Sequence, residues 1–179
     1  MARLRSRTPF EGLLPITIGT VLVEEVVPGP VHLVATFAGQ EAGVGRALGT
    51  GLSLAFPAPG QVTEGRDARA IWVAPGQALV FAADLPAIAH AAVTDQSDAF
   101  AICAVSGPDA AELLSRLVPV DLRPSAFPTG TTARTLVGHM TASVTAVENG
   151  IEIMVFRSMA GTLAEELSHA ARHLAARRA

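Results

Sequence analysis

Ala99-Phe100-Ala101-Ile102-Cys103-Ala104-Val105-Ser106-Gly107-Pro108-Asp109-Ala110 decides how the chain is read. Ala99–Val105 is an apolar run of strand length. It stops at Ser106-Gly107-Pro108-Asp109, which opens a helix: a capping-type serine, a proline in the first turn and an acid at the positive end of the helix dipole. Ala111, Leu114, Leu117 and Val118 then recur at spacings of three and four, giving one apolar face, and Pro119 ends the helix. Asp121–Gly130 is a loop holding Ala126-Phe127-Pro128-Thr129-Gly130. Thr131–Val147 predicts one or two strands, Asn149-Gly150 a hairpin turn and Ile151–Phe156 the returning strand. Leu163, Leu167, Ala170, Ala171 and Leu174 mark a final amphipathic helix, with Glu165 and Glu166 towards its start and arginines at its end.

Working upstream, the same order recurs. Thr17–Val27 and Val31–Phe37 read as strands joined tightly through Pro28-Gly29-Pro30. Gly39-Gln40-Glu41-Ala42 opens a helix with Val44, Ala47 and Leu48 at helical spacing. Gly43, Gly45 and Gly49 weaken it, each by about 1 kcal/mol relative to alanine. Ala55-Phe56-Pro57-Ala58-Pro59-Gly60 is a loop, Arg69–Val73 and Ala78–Phe81 form a hairpin about Pro75-Gly76, and Leu85–Ala92 predicts a short closing helix. Gly-x-[Asp/Glu]-Ala and Ala-Phe-Pro-x-(x)-Gly therefore occur twice, at Gly39–Ala42 and Ala55–Gly60, then at Gly107–Ala110 and Ala126–Gly130. The reading is a duplication: an α+β protein of two similar halves of ferredoxin-like type, with antiparallel pairing in each. The halves span residues 16–94 and 95–179. Residues 1–15 form an arm without periodicity, either disordered or laid against another chain.

Half of the 179 residues are apolar and 16% are charged, which supplies a core and argues against disorder. Low charge also points to a surface partly covered by a partner. A net charge of −3 argues against a phosphate-binding surface. Basic residues gather only at the ends (Arg3, Arg5 and Arg7; Arg172, Arg177 and Arg178), with no aromatics interleaved, so nucleic acid is not an expected partner. No stretch approaches the roughly 20 apolar residues of a membrane span, and no signal-peptide pattern opens the chain. The expected location is the cytoplasm.

The search for chemistry finds no assembled set. Cys103 sits in an apolar run and reads as a small buried hydrophobe. His32, His90, His139, His169 and His173 are dispersed. The last two, four apart on one helix, could share a metal, although a solvated helix end is the simpler reading. His139 reads as a strand residue pointing into a core or interface. Gly39-x-x-x-Gly43-x-Gly45 lacks the Lys-Ser/Thr of a phosphate loop and the order of a dinucleotide turn. Ser106 reads as a helix cap. Asp95 and Asp98 flank Gln96-Ser97 in a turn where aspartate bonds its own backbone. No catalytic, cofactor-binding or metal-binding residue is assigned.

An ordered set of motifs does resemble a family. Ala70-Ile71-Trp72-Val73-Ala74-Pro75-Gly76, Thr94-Asp95-Gln96-Ser97-Asp98-Ala99, Ser106-Gly107-Pro108-Asp109-Ala110, Val120-Asp121-Leu122, Ala126-Phe127-Pro128-x-Gly130, Arg134-Thr135 and Val155-Phe156-Arg157-Ser158 are similar to the gamma subunits of heterotetrameric sarcosine oxidases. The resemblance runs from Val31 to Leu167. It implies a reduced form of the folate-binding domain of glycine-cleavage aminomethyltransferases, itself built from repeated α/β halves. It further implies alpha, beta and delta subunits as partners. Those subunits would hold FAD, FMN, NAD, tetrahydrofolate and zinc, and this chain none. The assembly implied demethylates sarcosine oxidatively to glycine, passing the one-carbon unit to tetrahydrofolate and electrons to oxygen. Where the aminomethyltransferases place an adjacent acidic pair, this chain has Leu136-Val137-Gly138-His139. A structural, assembly role in the complex is thus the leading expectation. The alternatives are a free-standing folate-binding or aminomethyl-transfer protein, and the same subunit role in a complex acting on another N-methyl amino acid.

Overall fold

The second half folds around the stretch that opens the reading. In the computed structural model, which describes residues 5–177, strand β8 (Phe100–Ser106) leads into helix α2 (Ala110–Leu114). Strands β9 (Thr132–Val137), β10 (Met140–Val147) and β11 (Gly150–Phe156) follow, then a 3-10 turn and helix α3 (Ala160–Ala176). In the first half, β3 (Val31–Thr36) leads into α1 (Glu41–Leu52). Then come β4 (Val62–Gly65), β5 (Ala68–Ala74), β6 (Gln77–Phe81) and β7 (Ala91–Asp95). Two short strands, β1 (Ile16–Ile18) and β2 (Val21–Val26), precede both.

Sheet order supports the duplication. The six-stranded sheet runs β1-β2-β8-β11-β10-β9 and the five-stranded sheet β4-β5-β6-β3-β7, with every pairing antiparallel. Within them, β8-β11-β10-β9 and β3-β6-β5-β4 are the same strand–helix–strand–strand–strand unit drawn twice. That order differs from the ferredoxin-like one expected. The two Ala-Phe-Pro loops meet: the Val62 N–H donates to the Gly130 carbonyl (2.8 Å) and the Thr132 N–H to the Gly60 carbonyl (2.9 Å). Equivalent glycines thus accept reciprocal bonds, as a local two-fold relation requires.

The sheets stack face to face between helices. Val31, Ile71, Leu79 and Phe81 of one sheet interleave with Ile102 and Met154 of the other. Outside the larger sheet, Leu113, Leu114, Leu163, Leu167 and Leu174 cover Val105, Val144 and Ile153. Outside the smaller one, Val44, Leu48 and Leu52 of α1 cover Val34 and Val80. Each such side chain contributes about 1.5–3 kcal/mol on burial.

Several expectations are corrected. Residues 8–16, expected to lack structure of their own or to need another chain, pack on this chain's own core. Phe10 is fully buried among the α2/α3-side core residues, with Leu14 and Ile16 against the same core. The Phe10 N–H and the Thr8 hydroxyl donate to Glu25 at 3.0 and 2.7 Å. Strand β2 pairs with β8 and not with β3, so residues 16–26 join the sheet of the second half. Prolines 28 and 30 lack N–H groups, and the Pro-Gly-Pro segment carries the chain from one sheet to the other instead of closing a hairpin. Leu85–Ala92 forms no helix; it lies across α1 and feeds β7. The reason is close approach: a Cβ on Gly43 would lie 2.4 Å from the His90 ring, and one on Gly51 2.8 Å from Pro86. The glycines that weaken α1 on its own make room for this crossing. Ser106 ends β8 and caps nothing, because Asp109 is the residue before α2 and its carboxylate accepts from the Thr20 hydroxyl (2.6 Å).

Candidate functional site

The face between the sheets carries the chain's most organised polar chemistry. Side chains alternate along a strand, so β11 presents Glu152, Met154 and Phe156 to this face and Ile151, Ile153 and Val155 to the other. At one end, Thr132 and Thr145 share a hydrogen bond (2.9 Å), and the Thr132 hydroxyl also reaches the Val144 carbonyl (3.1 Å). Beside them Glu152 accepts from Arg69 of the facing sheet at 2.7 Å, the two side chains being 13% and 22% exposed. The Arg69 guanidinium also lies 4.7 Å from the centre of the Phe81 ring. The pair stands at a hollow of about 410 Å³ that Glu64 and Asp67 also line.

Arg69 and Glu152 are engaged with each other, so the arrangement clamps the sheets. Breaking it from one side leaves a charge in a mostly covered place. Glu152→Leu should cost about 2 kcal/mol, and adding Arg69→Met should restore most of that. Urea unfolding of the two single variants and the double variant checks the coupling; simple addition of the single costs would refute it.

At the opposite end the two sheets diverge over a cleft of about 320 Å³, lined by Leu33, Val73, Leu79, Phe100, Arg134 and Phe156 among others. The Phe100 and Phe156 rings stack at 5.9 Å. Arg134 donates to the buried Ser143 hydroxyl (3.3 Å), and desolvation against the sheet lowers its pKa.

The residues singled out in the sequence are scattered. Cys103 is fully buried, and burial pushes its thiol up to about 12, so it is a protonated apolar group. His169 and His173 stack their rings at 5.1 Å on α3. Among the described residues no group of three or more His, Cys, Asp and Glu side chains could hold a metal ion. His139 is not on a strand; it stands exposed in the turn between β9 and β10. Gly43 lies against the His90 ring, which fills the space a Cβ would take. Asp95 accepts from the Ser97 N–H (2.9 Å) and hydroxyl (2.6 Å), as its turn predicts, and these bonds hold its carboxyl below the ordinary range. Asp98 faces Arg157 at 3.7 Å. Of the terminal arginines, Arg3 and Arg178 lie outside the described residues.

Sequence reasoning passed over Arg69 and Glu152. Each is a lone charge inside an apolar strand, Ala68-Arg69-Ala70-Ile71 and Ile151-Glu152-Ile153. That interruption is the signal that could have found them.

No protein-family model and no curated protein matches the chain. A solved structure does. One chain of heterotetrameric sarcosine oxidase from Corynebacterium sp. U-96, determined in complex with pyrrole 2-carboxylate, superposes with a TM-score of 0.79 at 20% identity. The match covers 95% of this chain and 96% of that one, so the two are of nearly the same extent. The resemblance carried by the motifs is therefore met at the level of architecture: this chain has the fold of a heterotetrameric sarcosine oxidase subunit, nearly from end to end.

Proposed function

We propose that this chain is the gamma-type subunit of a sarcosine oxidase complex and that its contribution is shape and surface. The observation that carries this is the match over nearly the full length of both chains to one member of such an assembly. The ordered motifs between Val31 and Leu167 support the same subunit, and the aminomethyltransferase-like scaffold they imply fits the duplicated units. Leu136-Val137-Gly138-His139, standing in place of an acidic pair, is the end of an edge strand and its turn, with Leu136 44% exposed. That favours a scaffold without folate chemistry. On this reading FAD, FMN, NAD, tetrahydrofolate and zinc belong to alpha, beta and delta partners. Those partners also decide whether sarcosine or another N-methyl amino acid is oxidised. The proposed location is the cytoplasm; among the described residues no helix is long and apolar enough to cross a membrane.

Co-expression with alpha- and beta-type subunits from the same source tests the proposal. Purification through a tag on the alpha subunit should recover this chain in equal amount. Its absence from the purified complex would sink the proposal. Tight tetrahydrofolate binding by the isolated chain would favour a free-standing folate-binding protein instead.

A further inference from the structure

At the divergent end of the two sheets, the larger sheet outruns the smaller one. Register places Arg134, Ser143, Met154 and Ile102 in one row across β9, β10, β11 and β8. Ser143, Met154 and Ile102 are covered by the facing sheet, at 1%, 3% and 2% exposure. Two residues further along, the pairs Leu136–Thr141 and Phe156–Phe100 come next on the same face, just past the last β10–β11 pair, Ala142–Val155. Here the cover ends: Leu136 is 44% and Phe156 49% exposed, while Phe100 is half-buried against the inter-sheet core. The result is an apolar shelf with a stacked aromatic pair, bounded on its inner side by Arg134.

Charge says what fits there. Among the described residues Arg134 hydrogen-bonds only to the neutral Ser143 hydroxyl, and no carboxylate faces it in an ion pair. Desolvation alone perturbs it, with no compensating acid. Arg69, Arg123 and Arg157 each face an acid within 4 Å. Although Arg46, Arg66, Arg116, Arg172 and Arg177 also lack an ion pair among the described residues, Arg134 is the one that lines a cleft with the stacked aromatic pair. A guanidinium at the edge of an aromatic shelf is complementary to a carboxylate flanked by apolar side chains, the composition of an acidic–aliphatic protein segment. Shelf and cleft open to solvent along a row of strands, which suits a length of chain better than an enclosed small molecule.

We propose that the shelf of Leu136, Phe156 and Phe100, with Arg134 at its inner edge, docks a large partner subunit through a segment presenting a carboxylate among apolar residues. The inference rests on the subunit reading above and names the surface that reading requires. Loss of a paired, desolvated charge at a protein interface weakens binding by about thirtyfold or more.

The test is affinity between the full chain and co-purified alpha- and beta-type subunits. It compares the unaltered chain with Arg134→Glu and Phe156→Ser, and with Arg172→Glu on the far side of the sheet as control. All three altered positions are exposed, so an unchanged thermal midpoint will show that the variants fold. Weakening of about thirtyfold or more in Arg134→Glu and Phe156→Ser, with Arg172→Glu unaffected, supports the shelf. Equal affinity for all four chains overturns the shelf and leaves the subunit reading standing. Equal weakening in both charge variants points to general electrostatics and also overturns it. No association by the unaltered chain overturns the reading, and the shelf with it.

Discussion

Phe10→Ala lowers the stability of the folded chain by about 4 kcal/mol, a cost typical of emptying a phenylalanine site in a packed core. The side chain is fully buried among Val21, Val23, Leu113 and other residues of the larger cluster. Its removal loses the transfer energy of a ring and leaves a void that neighbours fixed in strands cannot fill. The surroundings make the site rigid: the Phe10 N–H donates to Glu25, and the Leu13 and Leu14 N–H groups donate back to the Phe10 carbonyl at 2.8 and 3.2 Å. Leu13, 42% exposed, supplies the comparison, and Leu13→Ala should change stability by about 0.5 kcal/mol or less. Urea denaturation with an unchanged m-value measures both. A Phe10→Ala cost below about 1 kcal/mol would mean the segment does not dock on this core in solution.

That segment shows where sequence reading stops. Residues 8–14 have no period, and the one fully buried aromatic among them is a tertiary fact: Phe10 is inside because Val21, Val23 and Leu113 surround its ring, while Glu25, fifteen residues on, receives its N–H. The same holds for β2. Val21 and Val23 alternate correctly for a strand, yet nothing local states whether the partner is the adjacent β3 or the distant β8. The duplicated units were legible because their marks are local: a helix opened after glycine, an Ala-Phe-Pro-x-Gly loop and hairpin turns at fixed places. The missing first-half helix was misread because Leu85–Ala92 has adequate composition. What excludes the helix is the fit of His90 and Pro86 against Gly43 and Gly51 across a gap in sequence.

The shelf was invisible for a related reason. Phe100 and Phe156 read as ordinary strand residues, and Arg134 stands out only as part of a family motif. Their exposure comes from one sheet being a row longer than the other, which no single strand encodes. The inter-sheet ion pair lies between these extremes. A lone Arg69 or Glu152 in an apolar strand announces a buried charge, but each charge's partner is set by how the sheets stack.

The two Gly-x-[Asp/Glu]-Ala motifs look equivalent in sequence, and substitution should separate them. Gly39 has φ +73°, and a Cβ there would meet nothing within 4 Å, so alanine faces only the cost of a left-handed backbone. Gly39→Ala should cost about 1 kcal/mol. Gly107 has φ +105°, and a Cβ would stand 1.9 Å from the Thr20 carbonyl oxygen. Alanine at 107 must both adopt a conformation reserved for glycine and push the β1–β2 turn away from β8, where Thr20 also donates to Asp109. Gly107→Ala should therefore cost about 3 kcal/mol or more. Thermal and urea unfolding of the two variants side by side decide the matter. Equal costs would mean the β1–β2 hairpin is not seated on the second unit. A large gap would show that the repeat has diverged there, because β2 flanks β8 in one unit while β7 flanks β3 in the other.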